Sequence, residues 1–217
     1  MQSFSKKLAE WYDPTSRNLP WKKTNDAYKI WLSEIILQQT RVEQGTPYYL
    51  AFIQQYPTVK KLANAPLDDV LKLWEGLGYY SRARNLHAAA KQIVLVHKGK
   101  FPATHTEILQ LKGIGNYTAA AIASFAYNLP HAVVDGNVYR VLSRVFDIEI
   151  PVDSTKGKVV FQQLADDLLD KKNPSVYNQA IMDFGALICK PQQPLCMQCP
   201  FSSECKALAL NKIALLP

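Results

Sequence analysis

All four cysteines of the chain fall within 17 residues near its C-terminal end, Cys189, Cys196, Cys199 and Cys205, with six, two and five residues between them. Four thiolates brought together by short loops repel one another and stay reduced only when something cationic holds them. The clustering therefore predicts a metal or cluster site. An iron-sulfur cluster is the leading occupant. Zinc is the rival, although structural zinc sites usually pair two ligand doublets and only Cys196 and Cys199 form one. Disulfides or free thiols are the remaining alternative.

A chain of 217 residues, 48% of them hydrophobic, makes one large domain or two small ones with a real core. The N-terminal run lacks the layout of a signal peptide, and no apolar stretch reaches the ~18 residues of a membrane span. A reducing cytoplasm is the expected setting. With 25 basic against 18 acidic residues the net charge is +7, which favours a polyanionic partner; an unselected basic surface is the plain alternative.

Apolar residues recur at helical spacing, broken by Pro and Gly, and strand signals are scarce. The pattern predicts an all-α chain with helices at 4–12, 27–39, 43–55, 66–73, 81–97, 104–110, 116–127, 137–146, 156–169 and 174–188. Pro20, Pro47, Pro57, Pro66, Pro102, Pro130, Pro151 and Pro174 mark starts or joints. Repeats, low-complexity tracts and flexible linkers are absent, so any domain division must be made by packing.

The segment from Leu111 to Ala119 sets Gly113 and Gly115 between two helical patterns. A tight hairpin opening directly into a helix leaves amides pointing outward, a seat for a phosphate oxygen, with a cation on the hairpin carbonyls as a possible aid. An ordinary helix-helix turn has the same look. Further on, Asp135 ends a short apolar run and begins the next helical pattern. It reads as an N-cap. A carboxylate accepting helix amides is also held ionised, which suits stabilising an oxocarbenium ion on a sugar. Glu34 shows the complementary case. It falls in the stripe formed by Ala27, Ile30, Trp31 and Leu37, where burial favours the neutral form and general-acid chemistry; pairing with a buried Arg or capping a helix is the alternative.

Other segments carry groups able to touch a duplex: Gln38-Gln39-Thr40-Arg41 with amides that read base edges, and Gly76 to Arg84 with aromatics and guanidiniums after a flexible turn. Tyr79 and Tyr80 also suit a core, Arg82 and Arg84 a solvated helix face. Arg17 and Lys22, flanking Leu19-Pro20-Trp21, share that ambiguity.

Together, Leu111 to Ala119, Val134 to Val138, Ser33 to Thr40, the Gly-Leu-Gly-Tyr-Tyr run and the cysteine spacing resemble the helix-hairpin-helix DNA glycosylases of the endonuclease III superfamily, in its adenine-excising branch. The resemblance runs from about Phe4 to Pro217. It implies two helical domains, a six-helix barrel at 24–130 holding the hairpin at about 108–127, and a cluster domain of 1–23 with 131–217, with DNA in a groove between them. It implies one four-iron four-sulfur cluster on Cys189, Cys196, Cys199 and Cys205, and a cytoplasmic, nucleoid-associated monomer. The implied substrate is double-stranded DNA with adenine opposite 8-oxoguanine or guanine, the adenine being turned out of the stack before hydrolysis.

The resemblance also implies roles. Glu34 matches the acid that protonates the base and later handles the water. Asp135 matches the carboxylate facing the oxocarbenium ion, with Asn137 and Tyr117 in support. Gln179 matches the contact to the flipped adenine, and Arg17 and Lys22 its pocket. Tyr79 matches the wedge, Leu37, Gln39 and Thr40 the contacts to the opposite base. Gly113 and Gly115, with Tyr117 and Thr118, match the phosphate-binding hairpin. Bifunctional relatives carry a lysine nucleophile where this chain has Tyr117, and a phenol cannot form a Schiff base, so base hydrolysis without strand cleavage is expected. Members of that branch continue into a Nudix-like domain, while this chain stops at Ala214-Leu215-Leu216-Pro217; base excision is expected to survive and the preference for 8-oxoguanine to weaken. A thymine glycosylase for T·G mispairs on the same scaffold, or a non-catalytic helix-hairpin-helix module with structural zinc, are the rival readings.

Overall fold

The structure, a computed structural model, describes residues 2–217, with side chains from Phe4 onward. Twelve α-helices follow one another, α1 (Gln2–Trp11), α2 (Ala27–Ile36), α3 (Val42–Gln55), α4 (Val59–Asn64), α5 (Leu67–Leu73), α6 (Ser81–Val96), α7 (His105–Leu109), α8 (Asn116–Tyr127), α9 (Gly136–Phe146), α10 (Thr155–Leu168), α11 (Pro174–Leu187) and α12 (Lys206–Ala209). Short 3-10 turns add Pro20–Lys23 and Cys196–Gln198. Among the described residues there is no strand, as the periodicity predicts. Among them, too, no helix is long and apolar enough to cross a membrane.

All ten helices expected from the sequence form, and most of their ends are set by local chemistry. Asp26 caps α2 by accepting from the amides of Tyr28 (2.9 Å) and Lys29 (3.5 Å). Thr104 caps α7: the Glu107 amide donates to Thr104 Oγ1, and that hydroxyl donates in turn to Glu107 Oε2 at 2.6 Å. Ser154 caps α10 through the Gly157 amide at 2.9 Å, and Pro174 opens α11. Two expectations need correction. The helix expected at 27–39 stops at Ile36, because Gln39 takes a left-handed conformation (φ 55°) and the Thr40 amide turns back to Leu37 O. Pro47 marks no joint; it lies inside α3, where only the bond to the Glu43 carbonyl is forgone. The six-residue α4 gives no usable periodicity, and its clearest signal is Thr58, whose hydroxyl accepts from the Lys61 amide.

The helices divide into two compact units, Leu19–Tyr127 and the discontinuous pair Met1–Asn18 with Asn128–Pro217. The first has an aromatic centre. Trp31, Phe52 and Trp74 are fully buried, Phe52 meeting Trp74 edge-on at 5.8 Å and Trp31 tilting against Phe101 at 5.5 Å. The Tyr28 hydroxyl, out of water, donates to Tyr56 O at 2.6 Å. The second unit closes around Leu8, Phe161, Phe184 and Phe201, all without solvent contact. Phe201, from the cysteine loop, stacks on Phe4 at 4.6 Å and meets Phe184 edge-on at 5.3 Å. The cysteine segment is thereby tied to α1 and α11 by apolar burial worth about 1.5–3 kcal/mol per aromatic ring.

Since α2 carries Glu34, its start is a point where fold and site meet. Asp26→Ala leaves two amides of the first turn without their acceptor and is expected to lower stability by about 1 kcal/mol, measurable as a shift in the urea midpoint at unchanged slope.

Candidate active site and cysteine loop

In the unit Leu19–Tyr127, α2 is buried on nearly every side, and Lys29 and Glu34 are its two residues with solvent access. Eight of the ten residues of α2 are buried, and Glu34 is half-buried among them. Just beyond, Leu37 is half-buried against α3, where a Cβ on Gly45 would lie 2.8 Å from Leu37 Cδ2. Gln39 is exposed and Thr40 half-buried. Tyr79 stands out from its turn, 67% exposed with φ 47°. Lys22 sits half-buried in the 3-10 turn Pro20–Lys23.

The hairpin takes the form its glycines require. Gly113 is left-handed (φ 77°), and a Cβ there would lie 2.6 Å from that of Asn85; above Gly115 the space is open. The first rung of α8 is Ala119 N to Gly115 O at 2.9 Å, so the amides before it point out of the helix N-terminus. Thr118 is buried, its hydroxyl accepting from Gln38 Nε2 at 3.5 Å, so only its amide is available to a phosphate. Tyr117 is half-buried. One expectation fails here: Arg82, paired in the sequence with the exposed Arg84 as a group facing a duplex, turns inward onto backbone carbonyls.

In the discontinuous unit, Asp135 caps α9, Oδ1 accepting from the Val138 amide at 2.8 Å and Oδ2 from Asn137 Nδ2 at 2.9 Å. Asn137 Oδ1 accepts from Arg140 Nη2 at 2.8 Å, and the same guanidinium reaches Gly185 O at 2.8 Å and, through Nε, Cys189 O at 2.7 Å. A chain of hydrogen bonds thus runs from the carboxylate to the first cysteine. Helix α11 approaches so closely that a Cβ on Gly185 would lie 2.7 Å from Asn137 Cβ. Asp135 behaves differently from the expectation that amides hold it ionised. Atoms packed around the carboxyl push its pKa up, and the bonds from Val138 and Asn137 and the charge of Arg140 only partly offset that.

Also in this unit, Gln179 on α11 is half-buried and its Oε1 accepts from the Tyr12 hydroxyl at 3.3 Å. Burial raises that phenol to about 12, so it remains a donor at neutral pH. One turn along, the buried Asp183 pairs with Arg17 Nη1 at 2.9 Å; Arg17 is therefore anchored on α11 beside Gln179.

The four cysteines are reduced and line one apolar cavity with Val145, Phe184 and Leu208. Burial raises the thiols of Cys189 and, to about 11, Cys199. A cation must therefore displace protons to bind, releasing them to solvent. Arg144 frames the loop. It donates to Cys189 Sγ (3.7 Å), Lys190 O (2.7 Å) and Pro191 O (3.1 Å), while its own carbonyl accepts from Cys205 Sγ (3.4 Å). Arg140, Arg144, Tyr12 and Asp183 escaped the sequence reading. The arginines left one trace there, two charges set among Val138, Val141, Leu142 and Val145 on an otherwise apolar helix face.

The glycine hairpin opening into α8, set in an all-helical chain with the capping Asp135 and the four-cysteine loop, defines a helix-hairpin-helix architecture. The chain belongs to the HhH-GPD superfamily of base excision DNA repair proteins, whose profile matches residues 32–164. It is 44% identical over 214 residues to the adenine DNA glycosylase of Homo sapiens, covering 94% of this chain and 39% of that protein. With the adenine DNA glycosylase of Buchnera aphidicola subsp. Baizongia pistaciae (strain Bp) the identity is 41%, over 97% of this chain and 60% of the relative. The chain thus spans between two-fifths and three-fifths of the length of these relatives. Among solved structures it is similar to a thermostable thymine-DNA glycosylase, with TM-score 0.88, 28% identity and 96% of each chain covered.

The raised pKa of Asp135 has a consequence for stability. The folded state holds the proton more tightly than the unfolded one, so the group favours folding at low pH, and that contribution is lost as pH rises from the ordinary carboxylate range through the raised value. Asp135→Asn removes the ionisation. The melting temperature of the variant relative to the parent should climb across that window and level off above it, as read from thermal melts at a series of pH values; a pH-independent difference contradicts the assignment.

Proposed function

We propose that the chain is a monofunctional adenine DNA glycosylase that hydrolyses the N-glycosidic bond of adenine opposite 8-oxoguanine or guanine in double-stranded DNA. The observation that carries this reading is the identity with adenine DNA glycosylases along nearly the whole chain. The capped, burial-strained Asp135 and the phenol of Tyr117 at the hairpin fit it. In this reading Leu19–Tyr127 is the barrel domain with the hairpin and the discontinuous unit is the cluster domain.

The proposed chemistry is a stepwise hydrolysis. Glu34 gives its proton to a ring nitrogen of the extruded adenine. The C1′–N9 bond breaks with its electron pair going to the base, and the oxocarbenium ion left on the sugar is met by the Asp135 carboxylate. Water adds at C1′ and returns a proton to Glu34, leaving free adenine and an abasic sugar. The burial that raises the Asp135 pKa in the free protein costs energy that a cationic sugar recovers, so the attraction is strongest at the transition state. Gln179 addresses the adenine, its amide oriented by Tyr12, and Arg17 and Lys22 border the pocket. Tyr79 is the wedge; Leu37, Gln39 and Thr40 address the opposite base. The amides around Gly113, Gly115, Tyr117 and Thr118 seat a phosphate, with a monovalent cation on the hairpin carbonyls.

The cysteine loop fits a four-iron four-sulfur cluster. The four thiols line the walls of one cavity closed by apolar side chains, and an all-sulfur donor set suits such a cluster. Bound there, it would supply the cationic centre that neutralises four thiolates. Protein purified without chelator should absorb near ~410 nm. Removal of the metal should abolish that band and lower the melting temperature, while zinc content without the band favours the rival occupant.

Base release is tested on duplexes carrying A opposite 8-oxoguanine, A opposite G and T opposite G, followed by alkali. Adenine release is expected from the first two, with no borohydride-trapped adduct. Glu34→Gln and Asp135→Asn should each lose about 10²-fold or more in single-turnover rate while still binding duplex. The likeness to the thymine-DNA glycosylase favours a second reading, thymine release from T·G; faster loss of thymine than adenine reverses the assignment.

A further inference from the structure

Arg82 lies in the first turn of α6, and its guanidinium is ringed by backbone carbonyls from two separate loops. From Nη1, hydrogen bonds go to the carbonyl of Gln38, to those of Ile35 and Ile36 at 3.3 Å each, and to Thr40 Oγ1 at 3.4 Å. From Nη2 they go to Leu77 O at 3.1 Å and Gly78 O at 3.4 Å. The guanidinium carbon sits 5.3 Å from the Trp74 ring centroid and 5.7 Å from that of Tyr79. Trp74 closes the circle by donating Nε1 to Gly78 O at 3.0 Å.

The Ile35 and Ile36 carbonyls belong to the last turn of α2, where no helix amide follows and a positive charge is favoured. The Leu77 and Gly78 carbonyls belong to the turn that projects Tyr79. Only a planar fork with donors on both arms can serve the two at once; a lysine ammonium is a single point. Both loops also depend on being held. Gln39 (φ 55°) and Tyr79 (φ 47°) are left-handed, a conformation that L side chains keep only where the surroundings over-determine it.

We infer that Arg82 is a positioning residue that fixes the spacing between the Tyr79 turn and the Gln39–Thr40 loop, and through it discrimination of the base opposite the adenine. The inference rests on the adenine glycosylase reading above. A wedge entering the stack and a loop contacting the opposite base recognise one mispair only while their separation is constant. Releasing the clamp lets each loop relax independently. A purely structural role would depress all substrates alike, whereas a positioning role changes their ratio.

The test uses the full chain and its Arg82→Lys variant, which keeps the charge and loses the second arm. Single-turnover adenine release is measured for A opposite 8-oxoguanine, G and C, together with amide hydrogen exchange. The ratio of rates for 8-oxoguanine over G is expected to fall about 10-fold, the scale of a small misplacement at a reacting site. Exchange should quicken at Gln39, Thr40, Gly78 and Tyr79 together, with α8 unchanged. An equal fall on every duplex, or faster exchange in one loop alone, overturns the inference. Trp74→Phe, which removes the bond to Gly78 and trims the platform, serves should Arg82→Lys not fold, and an unchanged ratio there is equally fatal. A parent protein that releases no adenine defeats the function reading instead, and the exchange measurement still decides whether the clamp exists.

Discussion

Arg140 is a guanidinium that cannot lose its charge, buried at 8% exposure in the middle of an apolar helix face. A buried arginine is tolerable only when its donors find acceptors, and each unmet donor costs on the order of 1–3 kcal/mol. Gly136 O, Asn137 Oδ1, Gly185 O and Cys189 O meet that demand. The requirement runs outward from there. It fixes Asn137 and so the second oxygen of Asp135, sets how closely α11 approaches α9 at Gly185, and places the first residue of the cysteine loop. Arg144, one turn further, repeats the device on Lys190, Pro191 and Leu216. One helix therefore orients the Asp135 carboxyl at its start and the cysteine loop along its side.

The unit Leu19–Tyr127 solves a similar problem with a different partner set. Arg82 also meets its charge with carbonyls, those of Ile35 and Ile36 at the end of α2 and those of Leu77 and Gly78 in the turn before Tyr79. In both units a guanidinium stands in for the missing amides of irregular backbone, which orders loops without regular ladders.

Much of the fold was legible because its signals are local. Periodicity located ten of the twelve described helices, and Asp135 and Pro174 announced starts through chemistry that acts within three or four residues. The hairpin was legible for the same reason, since only glycine accepts the geometry at Gly113. What escaped was set by contacts far apart in sequence. Nothing near Gln39 announces that it will be left-handed; the carbonyls that hold it there answer to Arg82, 43 positions on. A helical wheel shows one apolar stripe on α2 and cannot show that the helix is enclosed nearly all round, with eight of its ten residues buried and Glu34 half-buried. Arg17 was taken as a pocket residue without its anchor, Asp183, which lies 166 positions away.

The division of the chain carries a consequence for assembly. Leu19–Tyr127 is continuous and has all its partners as soon as residue 127 is made, whereas the other unit must wait for both of its parts. Its first helix, with Phe4 and Leu8, has to remain without its core until Phe184 and Phe201 arrive from the last fifth of the chain. During synthesis the helices that seat Glu34 can form ahead of the frame around Asp135. Ordering of the cysteine loop and burial of α1 are then one late event, both waiting on residues 184–205.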